Sequence, residues 1–248
     1  RDNLSHKISR IKNGYVNWST LEIIVLGAGK SEVSGKKYNL SDAQKDAENH
    51  ISLNTYDLIK SINIDSTYTI SDYIFRYEHL QKKIKYIIDG IETKDIKYID
   101  EGSVQIKAKL NMLGKDGIVN NLIYRYNFYT REINDKYENI FKYLIIDVRG
   151  LSAKLFLFPE IVDKDENPVL TVSMSSRDII SQNGYIRYIR NLNFISGIKD
   201  KTLFIKAQYI KKDKPSKIVV SDRNIDLIKA NKATFINFLS GNIYILID

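Results

Sequence analysis

The sequence has no cysteine and is poor in proline, methionine, tryptophan and histidine, with three Pro, two Met, one Trp and three His in 248 residues. Without cysteine there is no disulfide, no thiol nucleophile and no cysteine–zinc centre. The absence does not fix a compartment, because an oxidising compartment does not oblige a protein to use disulfides. No apolar run approaches the roughly 20 residues of a membrane-spanning helix. The longest, around Leu21 to Leu26 and Leu155 to Phe158, have the length of strands. His6, His50 and His79 form no pair at a metal-ligand spacing, so they read as surface or satisfied core histidines.

What is present describes a folded protein. Hydrophobic residues make up 43% and charged residues 27%, a balance that excludes wholesale disorder. The length suits one large domain or two of roughly 100 to 130 residues, each able to bury a core, and two is the preferred reading. The chain opens at Arg1 with no initiator Met, which leaves open whether a signal peptide or anchor lies upstream and is not informative by itself. The formal charge is +8, from 38 Lys+Arg against 30 Asp+Glu.

Along the chain, Val16, Trp18, Leu21, Ile23, Val25 and Leu26 suit a strand over Tyr15 to Gly29 that enters a glycine loop. Ser41-Asp-Ala-Gln44 has the form of a capping box opening a helix with Ala43, Ala47, Ile51, Leu58 and Ile62 on one side, and the two alanines allow close approach to a sheet. Ile64 to Ile70 reads as a second strand. A second helix follows from Ser71 or Asp72, bearing Ile74, Tyr77, Ile84 and Ile88 and ending near Gly90. Past a turn at Asp100-Glu101-Gly102, Val104, Ile106, Ala108, Leu110 and Met112 alternate with Gln105, Lys107, Lys109 and Asn111, the pattern of a strand with one dry face. Leu122 to Tyr129 reads as a hairpin return, and 131–142 as an exposed connector between units 1–130 and 143–248.

The stretch from Tyr143 to Met174 predicts three strands, YLIID, LFLFPEIVD and PVLTV, joined by a glycine corner and a tight hairpin. One or two short helices are predicted over Ser175 to Ser196, with Ile179, Ile186, Ile189 and Phe194 on their apolar side and a break at Asn183-Gly184. Leu203, Ile205, Ala207 and Tyr209 form an alternating strand that pairs with Ile218 to Val220 across a lysine-rich tip. Ser221-Asp222 caps a final helix with Ile225, Ile228, Phe235 and Leu239, and Ile243 to Ile247 is a terminal strand. The predicted class is α+β, two small units, each a mixed or antiparallel sheet with two helices on one face.

Candidate sites are few. Gly27-Ala28-Gly29-Lys30-Ser31 resembles a phosphate loop, but Ile24 stands where that motif needs glycine, so the glycines are read as letting the chain leave a strand. Asp46 with Glu48, and Asp163, Asp165 and Glu166, could be paired carboxylates. The second group sits in a hairpin turn, where Asp and Asn serve the backbone, and Asp163-x-Asp165-x-Asn167 lacks the glycine and distant glutamate of a calcium loop. The positive excess falls mainly in the last part of the chain, at Lys199, Lys201, Lys206, Lys211, Lys212, Lys214 and Lys217, either a contact patch or a solvated tip guarded by lysines. Beside it Tyr185, Arg187, Tyr188 and Arg190 form a basic-aromatic run that on a helix would pair the tyrosines on one side and the arginines on another. These residues, Lys206 and the tip lysines are the candidate protein contacts. No catalytic, metal or cofactor residue is nominated. The alternative is a basic nucleic-acid-binding module over Lys199 to Lys217 and the Tyr185 to Arg190 run.

The order of a Trp18 strand, Gly27-Ala-Gly29, the helix AQKDAENH, INIDSTYTI and the alternating VQIKAKLNM resembles bacterial flagellar accessory proteins of the FlgP type and the N-terminal part of FlgT. LIIDVRGLSAKLFLFPEIVDKDENPV, GYIRYIRN, TLFIKAQY, IVVSD and FLSGNIYILI resemble the conserved region that accompanies that unit. The resemblance implies a non-enzymatic, oligomeric protein of the periplasm or outer membrane. Its partners would be copies of itself and flagellar motor components, in rings or discs around the motor, with no small-molecule substrate. Members of that type carry a lipid anchor on an N-terminal Cys, which this sequence does not contain.

Overall fold

The computed structural model describes residues 8–11, 13–31, 39–193 and 199–248. The fold is α+β, and the chain forms two compact units, Ile8–Ile62 with Ile70–Met112, and Asn63–Thr69 with Leu113–Asp248.

The first unit is built on a five-stranded antiparallel sheet. Its strands are β1 (Ile8–Ile11), β2 (Gly14–Asn17), β3 (Glu22–Lys30), β4 (Glu92–Asp100) and β5 (Ser103–Asn111), in the order β1-β2-β3-β5-β4. The alternation read at Val104 to Leu110 holds, with Val104, Ile106, Ala108 and Leu110 buried. The single strand expected over Tyr15 to Gly29 is instead a hairpin, β2 turning at Trp18 to Leu21 into β3. Trp18 fixes that corner, being 2% exposed. Helix α1 (Leu40–Lys60) lays Ala43, Ala47, Ile51, Leu58 and Ile59 across β3 and β5. Its cap is Asn39, two residues before the serine read as the start, and the Asn39 side chain accepts from the Ser41 N–H.

Gly27 and Gly29 lie inside β3 and are not a loop. A Cβ on Gly27 would stand 2.2 Å from the Ala47 carbonyl oxygen, and one on Gly29 1.9 Å from that of Ala43. The glycines and the alanines are thus two sides of one close helix–sheet contact. The second helix is two, α2 (Ile70–Arg76) and α3 (Glu78–Asp89), broken at Tyr77 and closed at Gly90.

The second unit contains α4 (Ile118–Ile123) and two four-stranded sheets, and the hairpin return expected over Leu122 to Tyr129 is not a strand. One sheet joins β6 (Tyr143–Asp147), β9 (Ile186–Ile189), β10 (Thr202–Lys206) and β13 (Ile243–Leu246) in the order β10-β6-β13-β9, every pair parallel. An all-parallel sheet departs from the mixed or antiparallel expectation. Its central strands YLIID and IYIL show why, being near-continuous apolar runs suited to burial on both faces. The other sheet joins β7 (Glu160–Val162), β8 (Pro168–Leu170), β11 (Tyr209–Ile210) and β12 (Lys217–Val219) in the order β11-β12-β7-β8. The alternating segment Leu203 to Tyr209 is therefore split between two sheets. Leu155 to Phe158 is not a strand of either sheet; Leu157 and Phe158 donate to the carbonyls of Asn63 and Ile64. Those residues belong to the 63–69 segment, which forms one isolated bridge, Asn63 to Thr69, in place of the predicted strand.

Helix α5 (Arg177–Asn183) is capped by Ser176 and ends at Gly184, where φ is +75°. The final helix is also two, α6 (Asp222–Ile228), capped by Ser221 as read, and α7 (Lys232–Leu239), capped by Asn231. The terminal strand β13 is central, flanked by β6 and β9.

Candidate protein-contact surface

The lysine tip is a pinned hairpin. Asp163 opens the β7–β8 turn, its carboxylate accepting from the N–H groups of Asp165 and Asn167 at 2.9 and 2.7 Å and from the Asn167 amide at 2.8 Å. That turn puts Glu166 in the left-handed region, φ +65°, with its carboxylate against the β11–β12 hairpin. There Lys211, Lys214 and Lys217 all reach it, at 2.8, 2.9 and 2.9 Å, and Glu160 lies 3.8 Å from Lys217. Hydrogen bonds from Lys211, Lys214 and Lys217 hold the Glu166 carboxyl far below the usual glutamate range. The same bonds raise Lys211 and Lys214. Three lysines read as a contact patch are therefore committed to internal pairing. Lys201, Lys206 and Lys212 remain exposed, and the side chain of Lys199 lies outside the described residues.

The Tyr185 to Arg190 run is a strand, not a helix, because residues 186–189 pair with β13, Ile186 against Ile243 and Tyr188 against Ile245. Strand geometry sends Tyr185 and Tyr188 into the core, at 2% and 1% exposure. Neither ring is available to a partner or to a stacked base. Tyr188 donates to the Phe156 carbonyl and accepts from the Phe156 N–H, both at 3.1 Å. Among the described residues the Tyr185 hydroxyl finds no protein partner, and burial drives its pKa well up. Arg187 is spent on the carbonyls of Gly241 and Asn183 at 3.0 and 2.7 Å, leaving Arg190 exposed. Phe194 lies outside the described residues.

Of the other nominated groups, His50 and Asp46 come together on α1, His50 Nδ1 lying 3.8 Å from the Asp46 carboxylate and 2.6 Å from the Ala28 carbonyl oxygen while Asp46 accepts from the Lys30 N–H. Glu48 accepts from Gln44. His79 tilts against the Tyr77 ring and His6 lies outside the described residues. Among the described residues no group of three or more His, Cys, Asp or Glu could hold a metal ion. At the end of β6, Arg149 grips Asp147 with two bonds of 2.9 and 2.7 Å, holding that carboxyl below its usual range.

A groove lies where no site residue was expected. Residues 131–142, expected as an exposed connector, are mostly exposed and run as a strap over the α6–α7 junction. Lys136 and Tyr137 donate to the Ala230 carbonyl, Lys232 N–H to Asp135, and Phe141 N–H to the Thr234 hydroxyl. The Asn231 amide bridges the carbonyls of Tyr137 and Asn139 at 2.9 and 2.8 Å while its oxygen caps α7. Between strap and helix lies an open cleft of about 360 Å³, lined by Asp135, Tyr137, Glu138 and Ile140 on one side and Asn231 and Ala233 on the other. Tyr137 and Ile140 are 51% and 59% exposed at its wall, and Ile236, one turn along α7 from Ala233, is 51% exposed. The Lys229 ammonium, lowered by burial and by the charges of Arg131 and Lys136, belongs to the same junction. Ile133, Tyr137, Ile140 and Phe141, spaced through an otherwise polar stretch, were the signal in the sequence.

Residues 143–248, less than half of the chain, match the family described as Treponema pallidum Tp0624, second domain. The match begins at the first residue of β6 and includes the lysine hairpin, α6 and α7, while the strap precedes it. No curated protein matches the chain.

Proposed function

We propose that this chain is a structural or assembly protein that works by binding other proteins, without catalysis of its own, in the periplasm or at the outer membrane of a bacterium. The observation that carries the binding reading is the strap groove. Exposed apolar groups beside an open, polar-rimmed cleft are the usual anatomy of a protein contact. The match of 143–248 to a domain of a Treponema pallidum protein supports treating this part of the chain as a module. The flagellar motor as setting, and the envelope location, draw support from the sequence resemblance.

The test is made in cells. A photo-crosslinking residue at Ile140 should give discrete adducts with envelope or motor proteins, and Tyr137→Ser should weaken them. Absence of any protein adduct from Ile140 and Ile236 alike would overturn the groove as contact site. A deletion strain with intact motors and normal swimming would overturn the flagellar setting.

A further inference from the structure

Strand β4 closes one edge of the first unit's sheet and pairs only with β5 among the described residues. All nine of its residues are exposed. Ile96 and Tyr98 stand opposite the buried Ile106 and Val104, so they carry the apolar face of β5 outward past the rows that α1 covers. They are 37% and 59% exposed. An open edge with a bare apolar face is a template for another strand.

Natural edges are commonly guarded by lysines and bulges, and β4 has both, with register shifts between Thr93 and Asp95 and between Tyr98 and Asp100. The shifts bracket a regular run, Asp95-Ile96-Lys97-Tyr98. Within it Lys97 pairs with Asp95, 3.8 Å away on the same face. This short charge pattern is its own complement. About a two-fold axis at Ile96, antiparallel pairing sets Asp95 opposite Lys97 of a second copy and Lys97 opposite its Asp95, with Ile96 facing Ile96. A foreign strand meets a guarded edge, while an identical one meets matched charges at Asp95 and Lys97 around an Ile96–Ile96 contact.

We propose that β4 is a self-recognition edge through which two copies of this chain join their sheets, antiparallel and centred on Ile96. The inference stands on the first unit alone and is independent of the strap groove. An isologous contact of this kind makes a closed dimer and not an open filament.

The absence of cysteine gives a clean test. In an antiparallel pair, opposed Cα atoms lie about 4.5–5.5 Å apart, within disulfide reach. Full-length Ile96→Cys should therefore cross-link to a covalent dimer on mild oxidation. Phe204→Cys, also exposed and on the edge strand β10, should not. Light scattering at rising concentration should show dimer for the unaltered chain. Asp95→Lys alone and Lys97→Asp alone should weaken it about tenfold, since each turns two attractive cross-strand pairs into repulsive ones. The double exchange should restore it. No Ile96→Cys dimer beyond the Phe204→Cys control, or a double exchange as weak as the single ones, would overturn the proposal. All the altered positions are exposed, and unchanged circular dichroism would verify that each variant folds.

Discussion

Replacing Gly29 by Ala tests the packing of the first unit where it is tightest. The added Cβ would lie 1.9 Å from the Ala43 carbonyl oxygen, 2.4 Å from the Ala47 N and 3.0 Å from the Ala43 carbonyl carbon. All three are backbone atoms of α1, so no side chain can swing aside. Reaching an ordinary contact of 3.4 Å requires helix and strand to part by about 1.5 Å locally. That separation would loosen the buried Ala43, Ala47 and Ile51 against β3 and β5. Overpacking of a close-packed core costs about 1–3 kcal/mol and occasionally more, and a rigid backbone obstacle puts Gly29→Ala at about 3 kcal/mol or above on that scale. Gly90→Ala is the control. Its Cβ would meet nothing nearer than 3.7 Å, and the change should stay within about 0.5 kcal/mol. The chain's single tryptophan, Trp18, is buried in the same unit and reports on its unfolding. The assay is a urea titration followed by Trp18 emission, comparing midpoints at constant slope. If Gly29→Ala unfolds at the same midpoint as the unaltered protein, α1 does not lie on β3 at Gly29, and the glycines are mere exits from a strand.

Three further outcomes follow from the second unit. Glu166 has a folded pKa below its ordinary value of 4.5, so its contribution to stability is full above that pH and lost as pH falls below it. Glu166→Gln should flatten the acid limb of a stability–pH curve; a limb as steep as that of the parent would sink the lysine hub. Tyr188→Phe strands the Phe156 N–H and C=O and should cost about 1–3 kcal/mol, whereas Tyr185→Phe removes an unpartnered hydroxyl and should be neutral or stabilising. Thermal unfolding in which Tyr185→Phe is the worse of the two would contradict both placements. Asn231→Ala removes a helix cap and two strap bonds, for an expected loss of about 2–4 kcal/mol, with faster proteolysis confined to 131–142. A variant equally stable and equally resistant would mean that Asn231 does not hold the strap.

Features set by short-range forces could be read directly from the residues. The alternation of β5, the turns at Asp100 to Gly102 and Asp163 to Asn167, the Ser221 cap and the Ala43/Ala47 face of α1 each depend on residues a few positions apart, and each was legible. The candidate contact surface was not. Whether Ile186 to Ile189 is strand or helix turns on β13, more than fifty residues later, and only that pairing buries Tyr185 and Tyr188. Glu166 gives no sign in the sequence that it will meet Lys211, Lys214 and Lys217, and the strap looks like a linker until Asn231 takes hold of it. Gly27 and Gly29 read as a loop because the helix backbone that forbids a side chain there arrives from Ala43 and Ala47. Local hydrogen bonds and periodicity are written in the chain, but which surfaces stay open depends on partners that the chain brings together from a distance, and only the tertiary structure decides that.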